Sequence, residues 1–169
     1  LISTQNSNGV SIQNCELSDG MKGIYLYNSP NTVIQNNYIH NLRSNAVRTY
    51  QTSVNATIND NVFNNIANIP GMGDSGVTQN SCITTAGTGL TCYRNKITNV
   101  AYIGIGWRGD NAMVKWNYID TFCQELSDGA AIYTYNGDSS YPSTIQCEVM
   151  YNTVINGVGA GEGSIQPTG

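Results

Sequence analysis

Aliphatic residues in this 169-residue chain recur at a fixed offset from asparagine, not with a helical period. The repeating phrase is an aliphatic residue, two further positions, Asn, one position and a second aliphatic. It is complete in Ile34-Gln35-Asn36-Asn37-Tyr38-Ile39, Ile58-Asn59-Asp60-Asn61-Val62-Phe63, Val114-Lys115-Trp116-Asn117-Tyr118-Ile119 and Val149-Met150-Tyr151-Asn152-Thr153-Val154. Two degenerate copies extend the set: Ile12-Gln13-Asn14-Cys15-Glu16-Leu17 has Cys at the Asn position, and Cys92-Tyr93-Arg94-Asn95-Lys96-Ile97 has Cys at the first aliphatic one. The key positions 15, 37, 61, 95, 117 and 152 are 22, 24, 34, 22 and 35 residues apart. A unit of about 22 to 24 residues, lengthened in places by an insertion, predicts a solenoid.

A second phrase follows each Asn unit. Ile24-Tyr25-Leu26-Tyr27, Val47-Arg48-Thr49-Tyr50, Ile83-Thr84-Thr85-Ala86, Ile105-Gly106-Trp107-Arg108, Ile132-Tyr133-Thr134-Tyr135 and Ile165-Gln166-Pro167-Thr168 read as short strands. Gly23, Gly104 and Gly129 precede them, and Asn28, Gly109 and Asn136 follow. Each coil thus offers two strands of three to five residues, and no helical period is long enough to cross between them. Strands so short cannot bury a face alone, so they must stack at about 4.8 Å into parallel sheets around a narrow core.

The recurrent Asn has a mechanical reading. A sharp bend between sheets needs left-handed backbone angles, and Asn tolerates them best among non-Gly residues. Repeated at one bend, the amides of Asn37, Asn61, Asn95, Asn117 and Asn152 would hydrogen-bond along the stack as a ladder.

From Asn8 to Gln166 these residues and spacings resemble the right-handed parallel β-helix proteins, the pectate-lyase-like superfold. The resemblance implies one all-β domain over 1–169, a right-handed solenoid of about six coils with insertions near 66–81 and 136–147. It is far less specific for function, because that superfold hosts lyases, glycoside hydrolases, esterases, epimerases, tailspikes and adhesins.

Composition fits an extracellular solenoid. The chain holds 23 Asn and 18 Gly, and charged residues make up 11% where about 25% is ordinary. A net charge of -4 argues against a nucleic-acid or anionic-membrane partner. No apolar run approaches the ~18 residues of a membrane span. Both ends lack a capping helix, so an excised piece of a longer chain with flanking domains is expected. Secretion or cell-surface display is the expected localisation.

The five cysteines, Cys15, Cys82, Cys92, Cys123 and Cys147, have no metal-binding spacing. Cys15 and Cys92 fall on core-facing positions, while Cys123 and Cys147 flank an insertion and are candidates for a disulfide. Asn55-Ala56-Thr57 matches the glycosylation sequon. His40, the only histidine, follows the Asn bend and reads as an exposed turn residue.

Chemistry on a solenoid belongs on an exposed sheet face. Alternation places Tyr25, Arg48, Thr84, Gly106, Tyr133 and Gln166 in one outward column, and Tyr27, Tyr50, Ala86, Arg108 and Tyr135 in the next. Trp107 points inward by alternation, although glycines at 104, 106 and 109 leave it room to turn out. Aromatic faces suit sugar C–H faces and Arg suits carboxylate or sulfate, so Tyr27, Arg48, Tyr50, Trp107, Arg108, Tyr133 and Tyr135 are candidate substrate-binding residues for a polysaccharide. Stacked tyrosines that only stabilise a sheet are the alternative.

The sharpest local motif is Glu125-Leu126-Ser127-Asp128-Gly129-Ala130-Ala131-Ile132-Tyr133-Thr134-Tyr135. It is similar to the Asp-Gly-Gly-x-Ile-Tyr-Thr segment of β-helix glycoside hydrolases, with Ala130 in place of the second Gly. Asp128 lies four residues before Ile132 and Glu162 three before Ile165, so stacked coils would bring the two carboxylates to a glycosidase-like separation, about 4 to 9.5 Å. One carboxylate would attack or stabilise the anomeric carbon and the other would protonate the leaving oxygen. Glu16-Leu17-Ser18-Asp19-Gly20 repeats the phrase with no acidic match one coil on, so a turn formula whose Asp caps amides stays open.

A lyase would use Arg48, Arg108 or Tyr135, but the chain lacks an aspartate cluster for Ca²⁺. No cofactor is implied. The reading is a carbohydrate-active β-helix, with glycoside hydrolysis ahead of a polysaccharide lyase and of a non-catalytic adhesin, stalk or tailspike segment.

Overall fold

The computed structural model describes residues 1–50, 53–71, 80–135 and 144–159. Each coil contributes three strands, one to each of three six-stranded parallel sheets. The first sheet holds Ile2–Gln5, Ile24–Tyr27, Val47–Tyr50, Ile83–Ala86, Ile105–Arg108 and Ile132–Thr134. The second holds Ser11–Gln13, Val33–Gln35, Thr57–Asn59, Thr91–Tyr93, Met113–Lys115 and Glu148–Met150. The third holds Glu16–Ser18, Tyr38–Leu42, Val62–Ile66, Lys96–Val100, Tyr118–Phe122 and Thr153–Gly157.

The expectation of two strands per coil is therefore corrected to three. The Asn phrase, read as one unit, is two strands broken by a tight bend: its first aliphatic lies in the second sheet and its last in the third. Short strands hide this break, because each presents a single inward side chain before the backbone turns. In the second sheet that residue is Ile12, Ile34, Ile58, Cys92, Val114 or Val149, paired in register along the stack. Third-sheet strands carry two inward residues, such as Ile39 with Leu42 and Phe63 with Ile66, all at most 3% exposed. They are three apart, not two, because Asn41, Asn65 and Asn99 between them adopt φ of 53°, 56° and 57° and shift the alternation.

The ladder forms as expected. Nδ2 of Asn37 donates to Oδ1 of Asn61, Asn61 to Asn95, Asn95 to Asn117 and Asn117 to Asn152, each at 3.0 Å. Every receiving Oδ1 also accepts the backbone N–H of the preceding ladder Asn, at 2.9 to 3.1 Å. Cys15, without an amide, still donates its backbone N–H to Asn37 Oδ1 at 3.0 Å. The bend itself, however, is not made by the ladder Asn. The left-handed residue is the one before each ladder position: Asn14, Asn36, Asp60, Arg94, Trp116 and Tyr151, with φ between 52° and 59°. The ladder Asn is selected for its amide, and its neighbour carries the bend.

Gly23 and Gly104 lead from the third sheet into the first, where coils approach most closely. A Cβ on Gly23 would lie 2.3 Å from the Ala46 carbonyl oxygen, and one on Gly104 2.6 Å from that of Ala131. These glycines allow the first sheet to form in register, and the site is built on that sheet.

Candidate functional site

Along the first sheet, Ser3, Tyr25, Arg48, Thr84, Gly106 and Tyr133 are aligned in one column. Tyr27 pairs with Tyr50, and Ala86 with Arg108, in the column two residues on. The structure thus places Tyr27, Arg48, Tyr50, Arg108 and Tyr133 on one outer face, with Tyr135 directly after the last strand. Trp107 is not on that outer face, although its inward-facing ring borders the notch at Gly106. Its indole is 4% exposed and packs within the core, because the inward direction of its strand outweighs the freedom of the flanking glycines. Gln166 lies outside the described residues, as does the strand expected at 165–168.

The outer face has two aromatic groups. In the first, the Tyr25 and Tyr50 rings lie 5.7 Å apart at 48°, Lys22 stands 4.7 Å over Tyr25, and the Arg48 guanidinium 4.4 Å over Tyr50. Burial raises the Tyr50 hydroxyl pKa against the opposing pull of the Arg48 charge. Arg48 Nη1 is sealed from solvent and has no hydrogen-bond partner among the described residues. A guanidinium nitrogen so placed is unsatisfied, and an anionic oxygen would complete it.

The second group surrounds a notch. Gly106 puts no side chain between Thr84 and Tyr133, and the gap opens a cavity of about 210 Å³ bordered by Tyr102, Ile103, Arg108 and Tyr135. That is small beside the ~300 to 1,000 Å³ of drug-sized pockets, and suits a single ring. Tyr133 and Tyr135 are 39% and 49% exposed, so their ring faces are open to a ligand. The Arg108 guanidinium stands 5.8 Å over the Tyr135 ring.

Tyr102, which the pattern did not single out, links this notch to Asp128. Its hydroxyl donates to the Asp128 carbonyl, and burial, with the Asp128 charge second, pushes its pKa up to about 12. Gly129 makes the contact possible: a Cβ there would lie 2.3 Å from the Tyr102 ring. Asp128 is exposed, and among the described residues its carboxylate accepts no hydrogen bond, so it does not cap amides there. Asp19, in the parallel phrase, is a left-handed bend residue with φ 58°. Glu162 lies outside the described residues, and so do 72–79 and 136–143 within the two insertions.

Two further expectations change. His40 lies within a third-sheet strand, its side chain 15% exposed, stacked on Tyr38 with centroids 4.1 Å apart and 3.0 Å from Glu16. Cys123 and Cys147 are both free. They sit at different corners of the coil, Cys123 beside the Tyr102 carbonyl and Cys147 beside that of Gly109, so proximity to one insertion did not bring them together. The sequon residue Asn55 is a bend residue with φ 56° whose Nδ2 donates to Asn31 Oδ1 at 3.1 Å. Among the described residues no three His, Cys, Asp or Glu side chains cluster as a metal would require.

A family model described as the right handed beta helix region matches residues 1–85, just over half of the chain. The chain belongs to this family, and the same strand register continues beyond the matched segment through Thr153–Gly157. No curated protein and no solved structure matches it.

Proposed function

We propose that the outer face of the first sheet is a polysaccharide-binding groove of a secreted or cell-surface protein. The observation that carries this reading is the Gly106 notch, where two exposed tyrosines, Arg108 and Tyr102 surround a space for one sugar ring. Ring faces take the C–H faces of a pyranose, and Arg48, with its unpartnered Nη1, suits an acidic substituent one or more units along the chain.

Hydrolysis of the bound glycan is the second reading, and the position of Asp128 favours it. Asp128 is exposed at the rim that Tyr102 shares with the notch, within a segment similar to that of β-helix glycosidases. Glu162 would supply the second carboxylate, from the coil that follows. An inert stalk would leave both features unused.

A glycan array, followed by assays for new reducing ends and for unsaturated uronates, tests both. Tyr135→Ala should weaken binding at least ten-fold without lowering the melting temperature, and Asp128→Asn should abolish reducing-end release while binding persists. Binding by Tyr135→Ala equal to the parent would refute the groove. Full hydrolytic activity in Asp128→Asn would refute the catalytic reading, and unsaturated products would identify a lyase instead.

A further inference from the structure

We propose a second glycan-binding site on the opposite side of the coil, at the bend between the second and third sheets, where Trp116 and Tyr151 form a sugar-stacking platform. Both residues sit on strained backbone. Trp116 and Tyr151 have φ of 56° and 59°, a region in which bulky side chains are outliers and Asn or Gly is at ease. Other coils fill the same bend with Asn14, Asn36 or Asp60. Arg94 is the remaining exception, and it forms a two-pronged contact with Asp60 at 2.6 and 2.9 Å. Trp116 and Tyr151 gain no such ion pair, nor do they gain burial: they are 49% and 69% exposed. Ring contacts with neighbouring coils offset part of this strain, and strain kept at two side chains this exposed points to use of the side chains themselves.

Their geometry is that of a platform. The two rings stack with centroids 5.6 Å apart and planes 11° from parallel, and Tyr93 braces Trp116 edge-on at 5.5 Å and 83°. Beside Trp116 runs a groove of about 380 Å³, lined also by Arg94, Asn95, Lys96 and Tyr118. The ladder amide of Asn95 is rigid, so the floor is fixed before any ligand arrives. Two cations at this corner are matched, Arg94 by Asp60 and Lys115 by Glu148. Lys96 is exposed in the groove wall, with Asp120 the carboxylate that feels its charge. Asp120 is already held by Asn156, Thr121 and Tyr118. A pyranose stacked on Trp116 would therefore present its substituents to Lys96, which selects a carboxylate or sulfate. The occupant is an acidic glycan. The proposal rests on the preceding reading for ligand class alone, since no residue is shared with the first-sheet groove.

The two tryptophans make the test direct, because Trp107 is buried and Trp116 is the one a neutral quencher reaches. The full chain is titrated with oligogalacturonates and, separately, with cello-oligosaccharides, while acrylamide quenching is followed. Oligogalacturonates should shield Trp116, with affinity falling as salt rises, and cello-oligosaccharides should bind more weakly. Trp116→Asn, which suits the left-handed backbone, should melt at the same or a higher temperature yet bind oligogalacturonates at least ten-fold more weakly by calorimetry. Lys96→Gln should erase the preference for the acidic ligand. Tyr135→Ala should leave the shielding of Trp116 intact even where first-sheet binding is lost, which separates the two sites. Should Trp116→Asn fold poorly, Tyr151→Asn supplies the same comparison. No shielding by either ligand, or parent-like binding by Trp116→Asn or a well-folded Tyr151→Asn, overturns the proposal.

Discussion

Replacing Asn117 by Ala removes a buried interior rung of the ladder, and the structure indicates how much should be lost. Its Oδ1 accepts from both the backbone N–H and Nδ2 of Asn95 at 3.0 Å. Its Nδ2 donates to Asn152 Oδ1 at 3.0 Å, to the Cys92 carbonyl at 2.9 Å and, less closely, to that of Lys115 at 3.2 Å. At 1% exposure no water replaces these partners. The Asn95 amide N–H becomes a buried orphan, costing about 1 to 3 kcal/mol, whereas Asn95 Nδ2 keeps the Ile58 carbonyl at 2.8 Å. With the neighbouring bonds weakened at roughly 0.5 kcal/mol or more each, we expect a loss of about 3 kcal/mol. Asn152→Ala provides the internal control. Asn152 is half-buried at the end of the ladder, where water reaches, and its loss should cost about 1 kcal/mol. Urea unfolding followed by far-UV circular dichroism measures both, and amide exchange at Asn95 should accelerate in Asn117→Ala alone. Equal losses in the two variants would refute the argument that burial makes the ladder expensive to break.

Two other outcomes follow from side-chain environments. A thiol reagent on the native protein should modify Cys15 and Cys147, which are partly exposed, and spare Cys82, Cys92 and Cys123 until urea is added; burial pushes Cys92 up to about 12, and early labelling there would contradict a closed core. Arg94 lowers the Asp60 pKa, so the stability of that pair is present above the ordinary carboxylate value of about 3.9 and is lost as pH falls through the lower folded value; Asp60→Asn should flatten this part of the acid limb, and an unchanged acid limb would count against the pair.

Sequence by itself determined the coil. The recurrence of Ile, Val and Leu at one offset from Asn is a covalent fact about spacing, and only stacking of successive units satisfies both the apolar positions and the ladder amides. That is why five first-sheet strands, the ladder and the outward tyrosines were legible before any coordinates. Tertiary structure decided what the pattern could not encode. Three-residue strands show one inward side chain each, so the third sheet stayed hidden inside the Asn phrase until backbone pairing separated it. Left-handed angles on Trp116 and Tyr151 are invisible in a sequence, because propensity places Asn there and the ladder's geometry requires whichever residue precedes it to bend. Tyr102 entered the notch for a similar reason. Its ring fits where Gly129, 27 positions along the chain, has no Cβ, a complementarity that exists only when two coils are in contact.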